Sequence, residues 1–167
     1  MSLAIVRAGP QDGARLQNLI QLYTHDFSEF WAGSARGELS ADGRYTDYQL
    51  DPFFGRPNWS AWLLTAGAAP AGFALIKDAA HCGRPARRSM AEFFVVRKHR
   101  GQGAGRAAAQ ALIAAEPGSW EIAVARANTG ALAFWRKVAA ACAAGPVEEL
   151  DIASPDWNGP VLRFEAA

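Results

Sequence analysis

The chain has 167 residues, of which 50% are hydrophobic and 11% aromatic, enough to close the core of one domain. A net charge of +1 implies no affinity for nucleic acid or a membrane surface. No apolar run is long enough to span a bilayer, and the N-terminus lacks the basic flank and apolar core of a signal peptide, so a cytosolic (cytoplasmic) protein is expected.

Ser2 to Arg7 reads as a short strand, followed by a turn at Gly9, Pro10 and Gly13. From Ala14 onward, Leu16, Leu19, Ile20, Leu22 and Tyr23 recur at helical spacing, which predicts a first helix to about Phe30. Its far end sets Asp26 and Glu29 among the rings of His25, Phe27, Phe30 and Trp31. Gly33 to Pro57 has no sustained periodicity and is expected to be a loop with at most one short helix, around Tyr45 to Leu50. Its aromatic residues argue against disorder and for a segment that covers a site. Asn58 to Thr65 and Ala71 to Lys77 predict an antiparallel hairpin, and Asp78 to Arg88 a polar loop. Cys82 and Cys142 match no metal or redox spacing; both read as reduced bystanders, and no metal is expected.

Met90 to Val96 is apolar and rich in β-branched and aromatic residues, as a buried central strand should be, with Glu92 its only charge. Arg97 to Gly105 breaks the pattern with basic side chains and three glycines, and Arg106 to Ala115 consists almost entirely of helix formers. A helix that starts inside a glycine run leaves amide donors uncovered at the positive end of its dipole, where a phosphate fits. Trp120 to Val124 is a further short strand. Asn128 caps a second helix whose Ala131, Phe134, Trp135 and Val138 share one face and which runs on to a stop at Gly145. Val147 to Asp151 and Val161 to Glu165 are the last strands, flanking a turn from Pro155 to Pro160. This order predicts a mixed α/β domain with a partly antiparallel sheet and no internal linker.

Spacing discriminates among phosphate loops. A nucleotide P-loop requires Lys and Ser or Thr after the last glycine, where Arg106 and Ala107 stand. A dinucleotide fingerprint requires glycine at its sixth position, which is Arg106, so an NAD-binding oxidoreductase is disfavoured. The pattern Gln/Arg-x-x-Gly-x-Gly/Ala after a strand is filled by Arg100, Gly103 and Gly105, and Asn-x-x-Ala-x-x-Phe-Tyr is matched downstream from Asn128 through Ala131 and Phe134, with Trp135 in the last place. Together these motifs resemble the GCN5-related N-acetyltransferase (GNAT) superfamily over about Trp59 to Val138.

The resemblance implies a single domain, 1–167, with a mostly antiparallel sheet of about seven strands, splayed fourth and fifth strands and about four helices. It implies acetyl-CoA as cosubstrate, a small-molecule or peptide amine as partner, and direct attack of the neutral amine on the thioester. By resemblance, Phe93, Phe94 and Val95 line the pantetheine arm, the first and last through main-chain hydrogen bonds. Arg100, Gly101, Gln102, Gly103, Ala104, Gly105 and Arg106 hold the pyrophosphate, and Asn128 and Trp135 lie near the reactive end. The basic cluster Arg97 to Arg100 would add counter-charge for a CoA phosphate. Glu92 is the candidate general base, because desolvation raises a carboxyl pKa, and Glu121 the second candidate. Tyr23, Asp26 and Glu29 are expected at the acceptor pocket, the acids attracting a cationic amine. Trp135 replaces a tyrosine that in the family can protonate the departing thiolate; its indole cannot act as that acid, so Tyr23, Tyr45 or Tyr48 takes the role or the thiolate leaves unassisted. A non-catalytic acyl-CoA-binding domain of the same fold is the alternative reading, and a homodimer is compatible with the sequence.

Overall fold

The computed structural model describes residues 2–167. Its centre is a seven-stranded sheet in the order β1-β2-β3-β4-β5-β7-β6. The strands are β1 (Ala4–Arg7), β2 (Ser60–Ala66), β3 (Ala69–Lys77), β4 (Arg88–Val95), β5 (Gly118–Ala123), β6 (Glu148–Ala153) and β7 (Asn158–Ala166). Every pairing is antiparallel except β4 with β5. That parallel pair is held only at Arg88↔Trp120 and Ser89↔Glu121, after which the strands part. The expected splay is therefore present.

Helices cover both faces. On one, α1 (Gly13–Ser28) and the short α2 (Asp51–Gly55) place Leu16, Leu19, Ile20 and Phe53 on Leu63, Phe73, Leu75 and Phe94. On the other, α3 (Ala104–Ala114) and α4 (Thr129–Cys142) pack Leu112, Ile113, Trp135 and Val138 on Ile76, Met90, Trp120 and Leu162. Strand β3 lies under both layers, so Ala71 to Ile76 is buried without alternation in polarity. The register of β4 shifts against β3 between Leu75 and Ile76, opposite Met90 and Glu92. This bulge lets Met90 and Phe93 both face α4 while Glu92 turns to the α1 side.

Three element expectations are corrected. Tyr45 to Leu50 is not helical; the helix begins at Asp51, where Pro52 suits the first turn, because the main-chain groups of Tyr45 and Tyr48 bond to side chains of α1. Helix α4 stops at Cys142 rather than running to Gly145, because Ala143 turns extended and bridges to Ala166 on β7. The last strand is also longer than expected, starting at Asn158 instead of Val161. Among the described residues no helix is long and apolar enough to cross a membrane.

Candidate active site

The turn between β4 and α3 is shaped by glycine. Gly101 and Gly103 have φ of +79° and +78°, and Gly103 is the residue preceding the first turn of α3. A Cβ at either position would meet nothing, so the glycines are required by the left-handed backbone and not by crowding. The first internal bond of the helix runs from the Ala107 amide to the Gly103 carbonyl. Among the described residues the amides of Gly101 to Arg106 have no main-chain partner, and Gly101, Gln102 and Gly103 are exposed. An anion fits this cradle of donors at a helix N-terminus. The guanidinium of Arg100 lies along the protein surface: Nε donates to the Val95 carbonyl at 2.6 Å, Nη2 to Asp26 at 2.5 Å, and the group lies over the Phe94 ring. Arg100 thus ties the loop to β4 and α1.

Below that loop the parted strands leave one edge of β4 open. The Val96 amide donates to Ala71 of β3, so by the two-residue alternation the main-chain groups of Val95 and Phe93 turn to the side from which β5 has departed. The Phe93 ring stacks on Phe134 and meets Trp135 edge-on at 5.3 Å. Trp135 is buried in the α3/α4 core, whereas the Phe94 ring packs on the opposite, α1 side. The Asn128 side chain caps α4 by accepting from the Ala131 amide at 3.0 Å.

Glu92 lies on the α1 face, partly buried, and both of its oxygens accept a phenol: Tyr23 donates to Oε2 at 2.5 Å and Tyr48 to Oε1 at 3.1 Å. Burial pushes the Glu92 carboxyl above its ordinary value, and the two hydroxyls, then the charges of Lys77 and His81, offset only part of that rise. Burial and the neighbouring carboxylate push both tyrosines up as well, so they are weaker acids than ordinary phenols. Tyr45 instead meets His25 at 3.3 Å.

Two carboxylates behave differently from their sequence expectation. Glu121, the second candidate base, is fully buried, yet it is held at a pKa of about 2. Burial acts to raise it, but the His81 side chain and amide, the Cys82 thiol and Arg163 Nη1 at 2.7 Å outweigh burial. It is too weak a base for this task; it anchors the β3–β4 loop, whose Arg84 and Pro85 carbonyls also accept from Arg163. Asp26, expected to attract the amine, accepts from Arg97 at 2.8 Å and Arg100 at 2.5 Å. These guanidinium groups outweigh its partial burial and hold its pKa low, so its charge is already neutralised. Asp26 lines a shallow cavity of about 320 Å³ together with Leu22, His25, Phe94, Val96 and Arg97. Glu29 is exposed at the end of α1. Sequence reasoning missed the partners of Glu92, because the signal for them is spread over α1 and an irregular segment.

The sequence model of the acetyltransferase (GNAT) family matches residues 16–140. The chain belongs to the GNAT family. Membership makes it an acetyl-CoA-dependent N-acetyltransferase. Among solved structures it is similar to an acetyltransferase from Thermus thermophilus, at 18% identity and a TM-score of 0.65 over 99% of this chain and 97% of that one. It is also similar to the GNAT domain of S. lividans PAT, at 16% identity and a TM-score of 0.65 over 98% and 90%. The aminoglycoside acetyltransferase AAC(6')-Ib, in complex with coenzyme A and kanamycin, aligns at 16% identity and a TM-score of 0.66 over 98% and 95%. At these identities the likeness shows the GNAT fold alone. No curated protein matches the chain in sequence.

Proposed function

We propose that this chain works as one domain that transfers an acetyl group from acetyl-CoA to a primary amine by direct attack in a ternary complex, with Glu92 as general base. The observation that carries this reading is the position of Glu92: a partly buried carboxylate of raised pKa, on a strand whose parallel neighbour departs beyond Ser89. A base whose pKa moves towards the working pH is better matched to taking a proton from an amine.

The amides of Gly101 to Arg106 and the dipole of α3 would hold the pyrophosphate, and the main-chain groups of Phe93 with the Val95 amide, its carbonyl being taken by Arg100, would hold the pantetheine arm. Phe93, Phe134 and Trp135 wall the reactive end, with Asn128 at the start of α4. When bound, acetyl-CoA supplies the activated thioester that the amine nitrogen attacks. Glu92 accepts the proton the amine gives up. Tyr23 and Tyr48 donate to Glu92, Tyr45 is paired with His25 and Trp135 is not an acid, so the thiolate leaves without a protein proton donor. A cationic acceptor is favoured by Glu92 and Glu29; Asp26 contributes no free charge. The aminoglycoside bound by AAC(6')-Ib makes such polyamines one class to examine.

Thermal stability with saturating acetyl-CoA, and NAD as control, tests the first half of the reading. A ligand at about a hundred times its Kd adds roughly 2.7 kcal/mol. CoA release is then followed across kanamycin, spermidine, a lysine peptide and a peptide with a free N-terminus. Stabilisation by acetyl-CoA together with release on at least one amine supports transfer. Stabilisation without release on any of them would mark a binding domain instead.

A further inference from the structure

Helix α1 carries Gln17 and Gln21 one turn apart, and each amide pairs with a residue of the irregular segment that precedes α2. Gln17 Nε2 donates to the Tyr48 carbonyl at 2.7 Å, and its Oε1 accepts from the Tyr48 amide at 3.1 Å. Gln21 does the same with Tyr45, at 3.0 and 2.8 Å. Each glutamine presents the donor and acceptor that a neighbouring strand would present. A segment outside the sheet is thereby fixed to α1 at two points.

That fixation reaches Glu92. Tyr48 extends from the fixed segment to Oε1, and Tyr23, from the same α1, donates to Oε2. The charged or titratable groups that bear on Glu92 are these two phenols, Lys77 of β3 and His81 of the β3–β4 loop. A hydroxyl that donates to a carboxylate favours the charged form, and without it burial acts unopposed.

We propose that Gln17 and Gln21 are positioning residues for the base: they hold Tyr48 so that it and Tyr23 orient Glu92 and set how readily it ionises. This rests on the reading of Glu92 as the base. The segment over the acceptor side is then coupled to the chemistry. Docked on α1, it delivers Tyr48, whose bond favours the ionised form of Glu92; undocked, that bond is lost and ionisation is less favoured.

The test is a titration of the full chain labelled with ¹³C at the glutamate side-chain carboxyls, followed by NMR, with the Glu92 signal assigned by its loss in Glu92→Gln. Tyr48→Phe is expected to lower the ionisation constant of Glu92 about tenfold. The double variant Gln17→Ala with Gln21→Ala should produce a similar change with Tyr48 still present, and adding Tyr48→Phe to it should produce little more. If the double variant does not fold, Gln17→Met alone, which keeps length without the amide, answers the same question. An unchanged Glu92 titration in a folded glutamine variant overturns the proposal, as does a full further change on adding Tyr48→Phe. The base reading is judged separately: undiminished CoA release by Glu92→Gln would sink that reading, while the titrations would still decide whether the glutamines position Tyr48.

Discussion

Glu92 and Glu121 stand on neighbouring strands and face the same side of the sheet, yet their surroundings drive them apart. Glu92 receives two neutral phenols, which do not cancel the penalty of burial, so its pKa rises. Glu121 receives a guanidinium, a main-chain amide, an imidazole and a thiol, and falls to about 2. Burial alone therefore does not make a base. The number of donors decides, because each bond to the carboxylate favours its charged form and four groups meet Glu121 where two meet Glu92. One glutamate holds its proton more readily than an ordinary carboxyl, and the other is an anion that pins a loop.

Replacing each carboxylate in turn sharpens that contrast. Glu92→Gln should lower kcat/KM by roughly 10² to 10⁴, the usual contribution of a positioned base, with secondary structure intact by circular dichroism. Glu121→Gln should leave turnover per folded molecule near wild type but cost about 3 kcal/mol, read as a fall in Tm of roughly 10 °C, since Arg163 would stay buried without its anion. A large rate loss without a change in Tm in Glu121→Gln would break the comparison.

Their pH windows differ in sign. Glu121 is lowered from 4.5 to about 2, so its contribution to stability is present above pH 4.5 and is lost as pH falls towards 2. Glu92 is raised, so its contribution is complete below its ordinary value and is lost as pH rises through the higher folded value. Denaturant melts should accordingly show Glu121→Gln with a flattened acid limb. Glu92→Gln should be no less stable than wild type at about pH 8, with any such advantage gone at about pH 4. The smallest effect belongs to the third carboxylate: Asp26→Asn should cost at most about 1 kcal/mol by chemical denaturation and leave KM for the amine unchanged, because its charge is already paired with Arg97 and Arg100. A severalfold rise in that KM would return Asp26 to the acceptor site.

The glycine turn before α3 was legible because its geometry is local. Gly101, Gly103 and Gly105 follow a strand and open a helix within a few residues, and the left-handed backbone at the first two leaves little alternative to glycine. Asn128 was legible for the same reason, as a cap three residues from the amide that donates to it. The partners of the glutamates were not legible. Tyr48 is 44 residues from Glu92 and Tyr23 is 69, while Arg163 is 42 from Glu121. Glu92 and Glu121 look alike in a short apolar strand, and only the folded sheet shows which donors reach each one. The segment around Tyr45 reads in sequence as a loop with at most one short helix and is irregular in the fold, held by glutamines on another element and not by a periodicity of its own.

The pH dependence of kcat/KM, measured for wild type, Glu92→Gln and Glu121→Gln on whichever amine releases CoA, bears most directly on the division of roles between the two glutamates. The prediction is a rate that climbs with pH through one ionisation above the ordinary carboxylate range, present in wild type and Glu121→Gln and absent in Glu92→Gln. The same climbing limb at wild-type height in Glu92→Gln would contradict it.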